Sequence, residues 1–412
     1  MPKTPENRSV VVIGAGPAGT VAAALLAKNG VDVLVLEKLV FPRFQIGESL
    51  LPQSMTFLKK SGLLDAVTAS GFQHKDGAAF LCGKTRSVID FSQKSAEGWG
   101  TTYQVKRAEF DHLLAQEAAK AGVEVRQGQS VLEVDLEQTP SQLTVKDDAT
   151  GEAYQVTCEF VIDASGYGRV LPRLLDLERP SDFPVRTALF THIDDRLAGK
   201  DFDRDKILIT VHPQHQDIWY WLIPFSDGTS SLGVVVTPEK LETYSGSPSE
   251  KLWTLVHEGG DLSFLLAEAT ERRDVGTLSG YSTDVSRLCS DRFALLGNAG
   301  EFLDPVFSSG VTIALKSADL VVEPLLRQLR GETVDWQAEY AAPLQVGVRC
   351  FKAFVESWYS GELQRIIFNP PAGDNPIKNM IISILAGYAW DESNPFVHQG
   401  PKYLNLVSGQ CD

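Results

Sequence analysis

The stretch that most constrains this chain is Gly14-Ala15-Gly16-Pro17-Ala18-Gly19. Ahead of it, Ser9 to Ile13 reads as a buried parallel strand; behind it, helical spacing runs to about Gly30. Val31 to Leu36 then forms a second apolar strand ending at Glu37. Strand, glycine loop, helix and strand in that order make one βαβ unit. Its loop chemistry is that of a dinucleotide site. Gly14 permits the tight turn, Gly16 lets backbone approach a pyrophosphate, and Gly19 lets the helix pack closely on the strand. Ala18 falls in the first helical turn, whose amides and positive dipole end favour an anion. Glu37 stands where a carboxylate can accept from ribose hydroxyls.

The rest of the composition narrows the partners. Lys and Arg number 38 against 53 Asp and Glu, a net charge of −15. Such a balance repels a phosphate backbone and an anionic bilayer alike, so nucleic acid is not an expected partner. Cys82, Cys158, Cys289, Cys350 and Cys411 are dispersed, with neither a Cys-x-x-Cys pair nor zinc spacing. No apolar run approaches the ~18–20 residues of a membrane span, and the chain passes quickly from a polar start into a strand. The expectation is a cytoplasmic protein.

Length predicts more than one domain. Helical spacing at Ala108 to Ala121 and a strand at Val123-Glu124-Val125 continue the first fold. From about Thr187 to Gly280 the chain is strand-rich. There Ser226-Asp227-Gly228 separates Trp219–Phe225 from Thr229–Val236 as a hairpin turn. Helix returns from Val311 to Leu329, and the tail from Trp336 is helical apart from a loop at Asn369 to Pro376. The predicted class is α/β: a Rossmann-like dinucleotide-binding domain with an inserted mixed β-sheet domain and a helical C-terminal region. The binding domain takes residues 1–72, 105–186 and 281–330; the sheet domain takes 73–104 and 187–280; the helical region takes 331–412.

Two later segments choose the dinucleotide by resemblance. Val161-Ile162-Asp163-Ala164-Ser165-Gly166 is similar to the second signature of flavoprotein monooxygenases. Phe293-Ala294-Leu295-Leu296-Gly297-Asn298-Ala299 resembles their third, with Asn298 where the family carries Asp. Arg107, opening Arg107-x-x-x-Asp111-x-x-Leu114, matches the family's arginine near the cofactor. The resemblance implies FAD, with Ser49, Arg107, Val131, Asp163, Asn298 and Gly310 joining the glycine loop and Glu37 around it.

Within that superfamily the chain resembles the flavin-dependent halogenases of the phenol and carrier-bound pyrrole type. Trp219-Tyr220-Trp221-Leu222-Ile223-Pro224 reproduces their Trp-x-Trp-x-Ile-Pro motif. Phe41 to Pro52 is similar to their Gly-Glu-Ser segment, and Asp304 to Gly310 resembles their halide-proximal turn. Trp219, Trp221 and Ile223 alternate, so they share one face of a strand. Such a face is core packing in most proteins; the resemblance makes it also a partition between flavin and substrate. Ser308, Ser309 and Gly310 are the implied halide site, with Ser309 as N-cap of a helix starting near Val311. Tryptophan-specific relatives carry Glu where this chain has Phe307, a departure that argues against free tryptophan. Lys75, in His74-Lys75-Asp76-Gly77-Ala78, matches the family's lysine before Gly-Ala.

The implied reaction starts with reduced FAD from a separate flavin reductase. Oxygen gives a flavin C4a-hydroperoxide, which oxidises chloride or bromide to hypohalous acid. Lys75 then directs the halogen onto an electron-rich phenolic or pyrrolic ring, with an acyl carrier protein as its possible bearer. Substrate choice is assigned to the middle sheet and to Phe351–Phe368, with Trp358 and Tyr359 lining a pocket. An aromatic hydroxylase, a geranylgeranyl-reductase-like enzyme and a non-halogenating flavin-binding accessory stay open as alternatives.

Overall fold

The computed structural model describes residues 5–370 and 375–410; part of the Asn369–Pro376 loop and Cys411 lie outside the described residues. In chain order the elements used below are β1 (Glu6–Ile13), α1 (Pro17–Lys28), β2 (Val33–Glu37), β3 (Gly77–Cys82) and β4 (Thr85–Asp90). There follow α2 (Arg107–Lys120), β5 (Glu124–Gln127), β6 (Gln129–Asp135), β7 (Ser141–Asp147), β8 (Ala153–Asp163), β9 (Thr187–Asp194), β10 (Lys206–Val211), β11 (Trp219–Pro224) and β12 (Thr229–Val236). The chain then runs through β13 (Phe293–Leu295), α3 (Ser309–Leu329) and α4 (Ala342–Tyr359) to shorter C-terminal helices.

The first sheet has seven strands in the order β5-β2-β1-β8-β7-β6, with β13 beside β8. β1 pairs in parallel with both β2 and β8, and β8 in parallel with β13. Register sets Ile13 beside Leu36 and Asp163, and Asp163 beside Leu295. Four strands therefore end at one level, and the loops leaving them converge, the usual ligand position of a doubly wound sheet. Both faces of the central strands are buried. Val10, Val12, Phe160 and Ile162 pack with the α1 and α3 side; Val11, Ile13, Val161 and Leu295 pack on the other. That two-sided burial explains the unbroken apolar run of Val10 to Ile13.

A second, eight-stranded sheet carries β9-β12-β11-β10-β3-β4. Only its β10–β3 contact among these is parallel, so the sheet is mixed. β3 and β4 reach it from the 73–104 stretch, far in sequence from their neighbours. Alternation divides β11 cleanly. Trp219, Trp221 and Ile223 face the large core shared with the first sheet, while Tyr220 and Leu222 face a second core. The middle region also holds helices that the strand reading omits. The longest, Pro248–Glu258, is announced by Ser247-Pro248-Ser249-Glu250, whose serine and glutamate close a reciprocal capping box.

Candidate functional site

The strand ends open into an elongated cleft of about 790 Å³, within the range of small-ligand sites. Gly14, Gly16, Ala18, Glu37, Ser49, Arg107, Val131, Asn298, Ser308 and Gly310 all border it, as do Trp219 and Trp221. Gly14 has φ +99°, and a Cβ there would stand 2.6 Å from Ala164 O. At Gly19 a Cβ would stand 1.9 Å from Gly14 O, so α1 can sit this low only over a residue without a side chain. Gly19 thus shapes the cleft from behind. Gly16 caps α1 without any side-chain bond, and Pro17 opens the helix. A Cβ on Gly16 would meet only the Arg43 guanidinium, at 3.7 Å.

Glu37 is buried and pre-set. Its Oε2 accepts from Ala15 N at 2.8 Å and its Oε1 from Leu39 N at 2.9 Å, leaving further lone pairs toward the cleft. Arg43 approaches Glu37 at 3.5 Å and donates to Asp111 at 2.9 Å. Arg107 grips the same Asp111 through Nε and Nη2, at 2.7 and 3.0 Å. Its Nη1 donates to Ile46 O at 2.9 Å, fastening the segment before Glu48. Val131 lies at the outer rim, at a shift of register in β6. A neutral glycine cradle, a cation beside it and a carboxylate at the ribose position together fit a dinucleotide.

Asp163 lies outside that lining. Its Oδ1 accepts from Ser165 N at 2.8 Å and its Oδ2 from Leu171 N at 2.6 Å, so it holds the turn after β8. Burial raises its carboxyl above the ordinary range. Asn298 and Gly310 meet across the cleft's far end, where a Cβ on Gly310 would stand 3.9 Å from Asn298 Oδ1.

The expected cap on α3 is corrected. The helix begins at Ser309, two residues early, and its N-cap is Ser308 in the left-handed region (φ 57°) with no side-chain cap bond. Ser309 is buried and borders neither cavity. A left-handed serine after the short turn Pro305–Phe307 turns the helix start toward the cleft, a conformation that residue identity does not announce.

Lys75 is 1% exposed. Its Nζ donates to Ser49 Oγ at 2.7 Å and Leu50 O at 2.8 Å, and lies 5.4 Å from the Phe91 ring centroid. Burial pushes the ammonium down to about 7. It borders a separate void of about 20 Å³, walled by apolar side chains that include Phe80 and Phe307. Ile207, Val306 and Ser308 line both spaces. Its neighbours turn away, His74 toward Asp205 at 3.3 Å and Asp76 toward Lys206 at 2.8 Å.

Trp358 and Tyr359, expected to line a pocket, border neither the cleft nor the void. Trp358 is wholly buried, its ring against Phe80 and edge-on to Phe307. Tyr359 Oη accepts from Trp219 Nε1 at 3.0 Å and donates to Asp304 Oδ2 at 2.9 Å, tying α4 to both the tryptophan face and the turn before α3. Trp221 lies flat over Gly233 of β12, where a Cβ would stand 2.2 Å from its ring. Its Nε1 donates to Ser231 Oγ at 3.1 Å. Sequence reading passed over Arg43 and Glu48 as individual residues. Arg43 stands in the Phe41–Pro52 stretch, and its place beside Gly16, Glu37 and Asp111 singles it out.

Comparison with known proteins agrees with this geometry. The family model described as an FAD binding domain matches residues 7–341. A flavoprotein/dehydrogenase from Cytophaga hutchinsonii has a solved structure that superposes with TM-score 0.94 at 41% identity, over 98% of this chain and 99% of that one. The 1H-pyrrole-2-carbonyl-[peptidyl-carrier protein] chlorinase of Pseudomonas fluorescens is 28% identical, over 93% of this chain and 89% of that protein. The flavin-dependent halogenase armH1 of Armillaria mellea is 30% identical, over 82% and 68%. The fold and the cleft define an FAD-dependent oxidoreductase. Within that class, the chain belongs to the flavin-dependent halogenase family. No described helix is long and apolar enough to cross a membrane.

Proposed function

We propose that this protein oxidises chloride or bromide at the flavin cleft and passes hypohalous acid to Lys75, which halogenates an electron-rich ring. The single observation carrying this is Lys75 itself, a buried amine beside a void that shares three wall residues with the cleft. Reduced FAD from a separate reductase, with oxygen, supplies the two-electron oxidation of halide. The glycine loop, Arg43 and Glu37 hold the dinucleotide, and Trp219 and Trp221 keep organic substrate off it. At the start of α3, Gly310 borders the cleft and offers its backbone amide to halide.

A void of about 20 Å³ is too small for an aromatic ring, so ring access to Lys75 requires the surrounding apolar wall to open. With its ammonium pushed down to about 7, Lys75 is partly neutral at physiological pH. The neutral amine attacks the halogen of HOX, giving a haloamine and water; the ring then takes the halogen, loses a proton and regenerates the amine. The protonated form instead hydrogen-bonds HOX and polarises it. The substrate we favour is a pyrrolic or phenolic acyl group on a carrier protein, in line with the chlorinase relative named above.

The test combines purified protein, FAD, a flavin reductase and bromide with free and carrier-bound pyrroles and phenols. The expected result is halogenated product from wild type and none from Lys75→Ala. Equal product from both would remove the lysine from the mechanism. The Cytophaga relative's description as a dehydrogenase motivates a second reading, substrate oxidation or reduction without halide. Turnover that persists under nitrogen would select it.

A further inference from the structure

Halide oxidation by this route consumes a proton: FADH2 + O2 + X− + H+ gives FAD + HOX + H2O. Glu48 is 1% exposed and borders the cleft beside Gly47 and Arg107. Its Oε1 lies 2.7 Å from His192 Nε2, while its Oε2 has no hydrogen-bond partner. A carboxylate oxygen buried without a partner costs about 1–3 kcal/mol or more, so a purely structural pair would be expected to satisfy both oxygens.

His192 completes a line outward. Its side chain is 17% exposed and sits edge-on between Phe44 and Phe225, with ring centroids at 5.5 and 5.2 Å. The rings fix the imidazole plane yet leave one edge to water. Three cations near the pair have carboxylates of their own: Arg107 is held by Asp111, Lys106 by Asp227 and Arg272 by Asp194. Arg273 stacks on Phe44, with its Nη1 buried and without a hydrogen-bond partner. Among the described residues, none of these cations is hydrogen-bonded to Glu48.

We infer that Glu48 and His192 form the proton entry route into the flavin cleft, an assignment that rests on the halogenase reading for its place in turnover. Hydronium protonates His192 at Nδ1 as its Nε2 proton passes to Glu48 Oε1, and exchange with water then resets the imidazole tautomer. The carboxyl then turns that proton toward the oxygen being reduced in the cleft and returns to the carboxylate. One proton enters per HOX formed, and neither residue is changed. Ser49, the next residue, holds Lys75, so one short segment serves both the cleft and the lysine void.

The test has two independent arms. In the flavin-free protein, nitrogen NMR should show the His192 Nε2 resonance moving in Glu48→Ala, because its 2.7 Å contact with the carboxylate is lost. In FADH2-loaded protein, stopped-flow reoxidation by oxygen, with and without bromide, should slow at least about tenfold in Glu48→Ala and His192→Ala. FADH2 affinity should stay within about twofold, because a relay adds little to ground-state binding. Acetate should restore the first variant and imidazole the second. An unmoved His192 Nε2 resonance, an unchanged reoxidation rate, or a loss matched by lost FADH2 affinity and deaf to both buffers would each overturn the relay. If wild type reoxidises FADH2 but halogenates none of the free and carrier-bound pyrroles and phenols, the halogenase reading fails while the relay is still judged on reoxidation.

Discussion

Replacing Lys75 by Met should make the protein more stable near neutral pH and less stable in alkali. The ammonium falls from an ordinary 10.5 to about 7 because it is desolvated. At about 1.4 kcal/mol per pH unit, holding the charge inside costs about 5 kcal/mol when the site is protonated. Since the folded value lies below the unfolded one, the unfolded chain binds the extra proton between about pH 7 and 10.5, and stability rises with pH across that window. Methionine has similar length and no charge, but it leaves Ser49 Oγ and Leu50 O without their donor. At about 1 kcal/mol each, that loss is about 2 kcal/mol at every pH.

The difference favours Lys75→Met by about 2 kcal/mol at pH 7 and wild type by about as much at pH 10.5, with the two curves crossing near pH ~9. Urea unfolding of the flavin-free protein, followed by tryptophan fluorescence from pH 6.5 to 10.5, reads this directly. A variant less stable at every pH, together with a flat wild-type curve, would refute the buried-charge reasoning. Halogenation should be abolished at every pH, which separates loss of function from loss of fold.

Gly19→Ala should lower thermal stability by about 3 kcal/mol and abolish FAD binding, because its new Cβ meets backbone at 1.9 Å; calorimetry and FAD fluorescence check both. Trp221→Ala should cost about 3–5 kcal/mol in denaturant unfolding and let oxidant escape to an added phenol trap. Tyr359→Phe should cost about 1–3 kcal/mol by stranding the Trp219 indole N–H and removing a donor from Asp304; near-ultraviolet circular dichroism should report the freed indole.

What the sequence disclosed follows from how far each signal reaches along the chain. The β1–α1–β2 unit was legible because its buried runs, glycines and closing acid are contiguous and each forces one local geometry. The tryptophan face was legible because alternation on one strand needs no partner to be seen. The start of α3 was misplaced because a serine in the left-handed region carries no compositional mark. Trp358 carries no local mark of its burial, which depends on Phe80 and Phe307, both far away in sequence. The Glu48–His192 contact spans 144 positions, and neither residue type is unusual in its own segment.

Gly233 gives the tryptophan face a genetic consequence. Because the Trp221 indole occupies the space of a missing side chain on the next strand, neither position can change freely while the other stays. Any side chain at 233 must evict the indole, and any smaller ring at 221 leaves a hollow over bare backbone. Lineages should therefore vary the two sites together or not at all. In a saturation library the pair should show strong epistasis, with double variants rescuing what either single variant loses.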